Sequence, residues 1–333
     1  MRNNVFMLYV LNWLIPRVVS LTAVKPCLGY SQRSHRQLRC VVFLAVIQLA
    51  VLGSGCAWLD VKQRNIIYRP TAGVPADFVG LRVGDERYFV NVPLPALQER
   101  SASTPAAAQS AEHIEMWWLP HPDAQAPTLL YFHGTFRNLY QNLPKINALR
   151  QAGFAVLAVE YRGWGRSSVI VPSEQTIVQD ALLGFEELRR RQPVASQRIL
   201  YGHSMGSGVA VEIAIRMKAP GDYGGIILES ALTSFPDVAS QASWLGRLVA
   251  ALNNERFASI EKIDKIQAPL LMLHGTLDTT VPIALGQKLF DAANAPKQWV
   301  SIQGGAHSNL QQADASAYQN ALQRFKNLYF ASP

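Results

Sequence analysis

From about residue 86 onward, short apolar runs alternate with amphipathic stretches. Residues 89–92 and 114–119 read as two opening strands, and the Ala/Ser-rich stretch 101–110 between them reads as a hairpin loop. Further runs of strand length fall at 128–132, 154–161, 199–201, 226–228, 270–273 and 299–302. Such unbroken runs suit parallel strands covered on both faces. Between them, Ile177, Ala181, Phe185 and Leu188 recur at helical spacing ahead of Arg189, Arg190 and Arg191, basic residues that complement a helix C-terminus. Ala321, Phe325 and Leu328 predict a C-terminal helix. This alternation predicts an α/β fold, a mostly parallel central sheet flanked by helices.

One stretch breaks the rhythm. No strand is legible between Ser230 and Pro269, where Phe235, Trp244, Leu245, Leu248, Val249 and Leu252 predict one or two short amphipathic helices. We read 231–268 as a small helical cap inserted over the site. A surface helix packed on the sheet is the alternative.

Charge and cysteine usage separate the N-terminal stretch from the rest. The 333 residues carry 31 basic and 23 acidic side chains. Six basic residues and no acidic ones lie in 1–56, so the remaining 57–333 is nearly balanced. A balanced domain offers no electrostatic footprint for nucleic acid. Cys27, Cys40 and Cys56 are the only cysteines. The domain 57–333 therefore has no internal disulfide, thiolate metal site or cysteine nucleophile.

Within 1–56, Arg33, Arg36 and Arg39 precede the apolar run 41–52 and then Gly53, Ser54, Gly55 and Cys56. A basic region, an apolar core and small residues make an export signal. The run is short for a membrane span, which needs about 20 residues. The small residues before Cys56 resemble the lipobox of bacterial lipoproteins, with Gly53 where Leu is usual. That resemblance implies a lipid on Cys56 and an exported, membrane-anchored protein of the bacterial cell envelope. An uncleaved N-terminal membrane anchor is the alternative. The leader exceeds the usual signal length of about 15–30 residues. A second apolar patch fills 5–15, and no Met occurs between Met7 and Met116, so translation is expected to start downstream at a non-Met codon.

The chemistry centres on Gly202-His203-Ser204-Met205-Gly206, a G-x-S-x-G motif directly after one expected strand and before an expected helix. Glycines flank Ser204 because a strand that turns at once into a helix leaves no room for side chains beside it, and Gly208 and Ala210 are expected to let that helix pack close to the strands. Asp278 follows the strand 270–273, and His307 follows the strand 299–302. The order Ser, Asp, His suits an α/β domain whose site lies beyond the C-terminal strand ends.

This constellation resembles the α/β-hydrolase superfamily, over essentially all of 60–333. Its small-capped serine hydrolases are similar in three further places: Phe132-His133-Gly134-Thr135, Glu160-Tyr161-Arg162-Gly163-Trp164-Gly165-Arg166-Ser167, and Gly275-Thr276-Leu277-Asp278. The chain departs from the family at Glu160, where Asp is usual, and at the bulky Phe136 and Arg137. The resemblance implies Ser204 as nucleophile, His307 as base and Asp278 as the acid that orients it. The oxyanion would be held by the amides of Met205 and Thr135, with Phe136 as the alternative to Thr135.

Other candidates have plainer readings. His133, His203 and His274 fall at strand ends, but no metal-ligand spacing such as H-E-x-x-H accompanies them, so structural hydrogen bonds are expected and no metal or cofactor. Glu229 is a rival acid. Arg137 is a solvated loop residue or a grip for an anionic substrate. One of Trp117 and Trp118 belongs to the core, and Trp164 is expected to pack.

The expected activity is hydrolysis of an ester or thioester of a small-molecule or acyl substrate. Amide cleavage and acyl transfer to an alcohol use the same residues and stay open, as does a non-catalytic binding role. Haloalkane and epoxide chemistry would need a carboxylate at position 204.

Overall fold

The computed structural model describes residues 58–93, 111–242 and 255–331. The leader with Cys56, the expected hairpin loop 101–110, and Trp244, Leu245, Leu248, Val249 and Leu252 lie outside the described residues.

Eight strands form one sheet: β1 (Glu86–Asn91), β2 (His113–Leu119), β3 (Thr128–Phe132), β4 (Ala155–Glu160), β5 (Arg198–His203), β6 (Gly225–Glu229), β7 (Leu270–Gly275) and β8 (Lys297–Ile302). Their order across the sheet is β1-β2-β4-β3-β5-β6-β7-β8. Only β2 runs antiparallel to its neighbours; from β4 to β8 every pairing is parallel. Each expected strand is present, and several are longer than their apolar runs. β5 and β7 extend by polar or small residues, to His203 and Gly275, and these extensions lead into the site loops.

The sheet is covered on both faces, as the α/β pattern predicts. The helices are α1 (58–68), α2 (Leu139–Gln151), α3 (Glu174–Arg191), α4 (Met205–Arg216), α5 (Phe235–Ala242), α6 (Ile283–Ala292), α7 (Leu310–Ala313) and α8 (Ala315–Tyr329). One apolar cluster joins Leu130, Leu157 and Leu200 to Phe185 of α3 and Val209 of α4. The opposite face joins Leu129, Tyr131 and Ile227 to Leu149 of α2 and Phe325 of α8. Alternation along β2 sends Trp117 to the second cluster and Trp118 to the first. Trp117 is fully buried, whereas Trp118 is partly exposed under the Arg191 guanidinium, 5.4 Å from its ring centroid.

α3 begins where its sequence says it should. Ser173 accepts from the Thr176 amide, and the Thr176 hydroxyl accepts from the Ser173 amide, a reciprocal cap of the first turn. α8 buries Tyr318, Ala321, Leu322 and Phe325. Leu328, expected on that stripe, is 59% exposed; Phe330, just past the helix, closes the cluster instead.

Of the expected insertion, the described residues show α5 and two short 3-10 turns, Ser259–Glu261 and Ile263–Lys265, and no strand. Phe257, on its return arm, meets Phe235 edge-on at 5.5 Å. That return arm explains Gly208. The expectation was that a small residue here lets α4 approach the strands. A Cβ at Gly208 would instead sit 2.8 Å from the Phe257 side chain.

Candidate active site

Every parallel strand that leads into the site ends on the same edge of the sheet. β3 delivers His133 and Gly134, β5 delivers Ser204, β7 leads to Asp278, and β8 leads to His307. Ser204 occupies a conformation that L-residues avoid, with φ 56° and ψ −123°. Its amide donates to the Glu229 carbonyl at 2.9 Å, and its carbonyl accepts from the Ser207 amide at 2.8 Å and hydroxyl at 2.6 Å. The flanking glycines are required by close backbone approach. A Cβ at Gly202 would lie 2.1 Å from the Gly206 carbonyl oxygen, and a Cβ at Gly206 equally close to that of Phe132.

The structure brings Ser204, His307 and Asp278 together in a chain. His307 Nε2 lies 2.8 Å from Ser204 Oγ, and His307 Nδ1 lies 2.8 Å from Asp278 Oδ2. The carboxylate can only accept from Nδ1, which leaves Nε2 of the neutral ring free to take the serine proton. Asp278 Oδ1 accepts from the amides of Thr280 and Val281, each at 2.9 Å. Burial alone would raise the Asp278 carboxyl, but His307, the Val281 amide and His274 hold it below the usual carboxylate range.

The His307 carbonyl is itself held. It accepts from Ser230 Oγ at 3.1 Å and from His203 Nε2 at 2.9 Å. The proton of His203 is therefore on Nε2, and its Nδ1 is buried without a partner among the described residues. Burial, and after it the charge of Lys145, push His203 down to about 3, so the ring is neutral. His274 Nε2 donates to the Val281 carbonyl at 2.9 Å and its ring stacks on Trp299, bracing the loop that carries Asp278. Burial lowers the pKa of His274 as well.

Glu229, the rival acid, does not reach His307. Its carboxylate accepts from Lys145 Nζ, from Tyr201 Oη and, at 2.8 Å, from Tyr318 Oη. Burial opposes the charge, yet Lys145, His203 and the Tyr201 hydroxyl hold the carboxyl below its ordinary range. The reading of Glu229 as acid is corrected: it is the buried partner of Lys145, beneath the turn that carries Ser204. Sequence reasoning missed Lys145 because α2 itself was not legible. Pro144 lies inside that helix, and Asn142 and Lys145 share its buried face.

Thr135 and Met205, the expected oxyanion donors, flank Ser204. Met205 is the first residue of α4, where an amide has no intrahelical acceptor. Gly134, one residue before Thr135, approaches so closely that a Cβ there would lie 3.1 Å from Ser204 Cβ. Together with Ser204, His203 and His307, residues 134–137 line a narrow cleft at the hydroxyl.

Two buried groups fix this loop. Trp164 Nε1 donates to the Thr135 carbonyl at 2.7 Å. Glu160 Oε2 accepts from the Leu139 amide at 2.9 Å, and Oε1 lies 3.0 Å from His133 Nε2. Burial raises the Glu160 carboxyl despite His133 and that amide. Trp164 thus packs, as expected, and also anchors the loop, a role with no signal in its sequence neighbourhood. Arg137 is exposed and makes no ion pair among the described residues; its guanidinium sits 5.5 Å from the Phe136 ring centroid. Among the described residues, no three His, Cys, Asp or Glu side chains converge as metal ligands.

The family model described as serine aminopeptidase, S33, matches residues 123–262. An uncharacterized protein of Mycobacterium tuberculosis is 30% identical over 292 residues, covering 86% of this chain and 95% of its own. The lysophosphatidylserine lipase ABHD12 of Danio rerio is 32% identical over 212 residues, 58% of this chain and 53% of that protein. Among solved structures, the Pyrococcus furiosus esterase Pf2001 superposes with a TM-score of 0.57 at 16% identity, over 78% of this chain and 98% of the esterase, a likeness of fold. With this strand order, this turn at Ser204 and these relatives, the chain has the α/β-hydrolase fold, and its residues 123–262 are similar to the serine aminopeptidase S33 family.

Proposed function

We propose that the protein is a serine hydrolase that cleaves a carboxylic ester or thioester through an acyl-enzyme on Ser204. The observation that carries this is the hydrogen-bonded chain from Ser204 through His307 to Asp278, with 2.8 Å at each link. His307 Nε2 takes the hydroxyl proton as Oγ attacks the carbonyl carbon. Asp278 keeps Nδ1 protonated and stabilises the imidazolium. The amides of Met205 and Thr135 face the developing oxyanion, each such donor contributing about 3 kcal/mol. His307 then protonates the leaving group, and water, deprotonated by the same ring, releases the acid. The Danio rerio relative named as a lipase supports an ester over an amide.

We further propose that Cys56 carries a lipid that tethers the hydrolase to a membrane on the exported side of a bacterial cell. The basic, apolar and small-residue order of 33–56 supports this reading.

Fluorophosphonate labelling tests the activity. The label is expected on Ser204. Ser204→Ala should remain folded, lose the label and hydrolyse p-nitrophenyl butyrate about 10⁴–10⁶-fold more slowly. Labelling and turnover that survive the substitution would end the proposal.

A further inference from the structure

A basin of about 380 Å³ opens beside His307. It lies between α2 and the loops that carry Asp278 and His307. It shares Arg137, Asn142, His307 and Ser308 with the narrow cleft at Ser204, so the two adjoin across these side chains. Its wall is almost wholly polar: Arg137, Gln141, Asn142, Thr280, Ser308 and Gln312 supply amides, hydroxyls and a guanidinium. Among the described residues, no carboxylate lines it.

The charges around this basin are not equivalent. Lys145 reaches its floor but is 2% exposed and is held by Glu229 and, at 3.1 Å, by Gln311. Its charge is committed. Asp278 is turned away, with both oxygens engaged by His307 and loop amides. Asp77 lines a neighbouring groove with Arg137, and no ion pair joins the two among the described residues. Arg137 is therefore the cation of the basin that remains available, on an exposed loop position with its ring neighbour Phe136 beneath it. A guanidinium presents a planar fork that fits carboxylate and phosphate oxygens.

Position gives the basin its role. His307 delivers the proton to the departing oxygen, so the alcohol part of an ester lies on the His307 side of Ser204. A wall of hydrogen-bonding groups would hold an apolar alcohol poorly, because its own polar groups would lose water without replacement. We infer that the basin beside His307 is the leaving-group subsite, and that it takes an alcohol bearing an anionic group, phosphate or carboxylate, gripped by Arg137. This rests on the serine-hydrolase reading above and adds the class of ester that Ser204 attacks.

The test compares oleoyl esters with one acyl chain and three alcohols: glycerol 3-phosphate, lactate and glycerol. The wild-type protein is expected to show at least ~10-fold higher kcat/KM for one or both anionic esters than for oleoylglycerol, a ratio of the size a charged hydrogen bond supports. The better of the two anionic arms identifies phosphate or carboxylate. Arg137→Gln should collapse that ratio toward one, chiefly through KM, and Arg137→Lys should keep part of it. High salt should erode the preference as well, since Arg137 is exposed. A wild-type ratio at or below one overturns the inference, and so does a ratio that Arg137→Gln leaves unmoved. If p-nitrophenyl butyrate is not hydrolysed and fluorophosphonate does not label Ser204, the hydrolase reading itself fails and takes this subsite with it.

Discussion

The indole nitrogen of Trp164 donates to the carbonyl of Thr135 at 2.7 Å, across 29 positions of sequence. Thr135 is an expected oxyanion donor with Phe136 as the alternative, and the Thr135 carbonyl shares its peptide plane with the Phe136 amide, so holding that carbonyl aims the Phe136 amide and restrains the Thr135 amide through the adjoining backbone rotation. Trp164 fixes the plane that follows Thr135, Glu160 fixes the start of α2 through the Leu139 amide, and His133 abuts the same carboxylate. Trp164→Phe removes the hydrogen bond and keeps most of the ring packing. The expected result is a folded protein with kcat for p-nitrophenyl butyrate lower by about 10-fold and KM nearly constant, the mark of a contact that matters only in the transition state. Wild-type kcat in this variant would show that the loop is held without Trp164.

The two acidic candidates separate by variant. Asp278→Asn keeps the shape but favours the wrong His307 tautomer, and turnover should fall by about 10⁴-fold with little change in melting temperature. Glu229→Gln should act the other way. It leaves the Lys145 ammonium buried without its counter-charge, a change that costs about 3–5 kcal/mol of stability. Its activity at a temperature where it stays folded should lie within about 10-fold of wild type. A folded Glu229→Gln protein with activity as low as Asp278→Asn would return Glu229 to the chemistry.

The contrast between these acids shows where sequence reading succeeds and where it runs out. The turn at Ser204 was legible because Gly202 and Gly206 are forced by close backbone approach, where an added Cβ would lie 2.1 Å from a carbonyl oxygen. Asp278 and His307 were legible as candidates because each follows an apolar strand by a few residues. The parallel sheet was legible because strands buried on both faces leave unbroken apolar runs. What stayed hidden depends on partners far apart in sequence. Lys145 meets Glu229 across 84 positions, and Trp164 meets Thr135 across 29. α2 hid because its buried side mixes Asn142 and Lys145 with Leu139, Ile146 and Leu149, so its apolar period is broken. Gly208 was misassigned because its neighbour, Phe257, arrives from the far arm of the insertion.

The lipid proposal has its own test. Cys56 is the only cysteine preceded by an apolar run and then small residues, and no cysteine follows it. Cys56→Ser should abolish metabolic labelling by an alkyne fatty acid and move the enzyme from the membrane fraction to the soluble one. Hydrolysis of p-nitrophenyl butyrate should persist, because the lipid would sit outside the domain that carries Ser204. Unlabelled wild-type protein, found wholly in the cytoplasm, would refute the anchor and leave the hydrolase proposal standing.

The last prediction concerns acid. His203 is buried beside Ser204, and burial with the Lys145 charge pushes it down to about 3, whereas an unfolded histidine titrates near about 6.5. Above pH 6.5 neither state binds the proton, and the ring contributes nothing to pH dependence. As pH falls below that value the unfolded chain takes up a proton that the folded protein refuses, so stability is lost on acidification down to about pH 3. One proton gives a slope of at most about 1.4 kcal/mol per pH unit. His203→Gln retains a donor for the His307 carbonyl and has no proton to gain. Urea unfolding of both proteins at pH 7, 6, 5 and 4 should therefore give curves that converge as pH falls, wild type losing stability faster. Other titrating groups, His274 included, are common to both proteins and cancel in the difference. Parallel curves would mean that His203 is protonated as readily in the folded protein as in the unfolded chain. The neutral ring assigned beside His307 would then have to be abandoned.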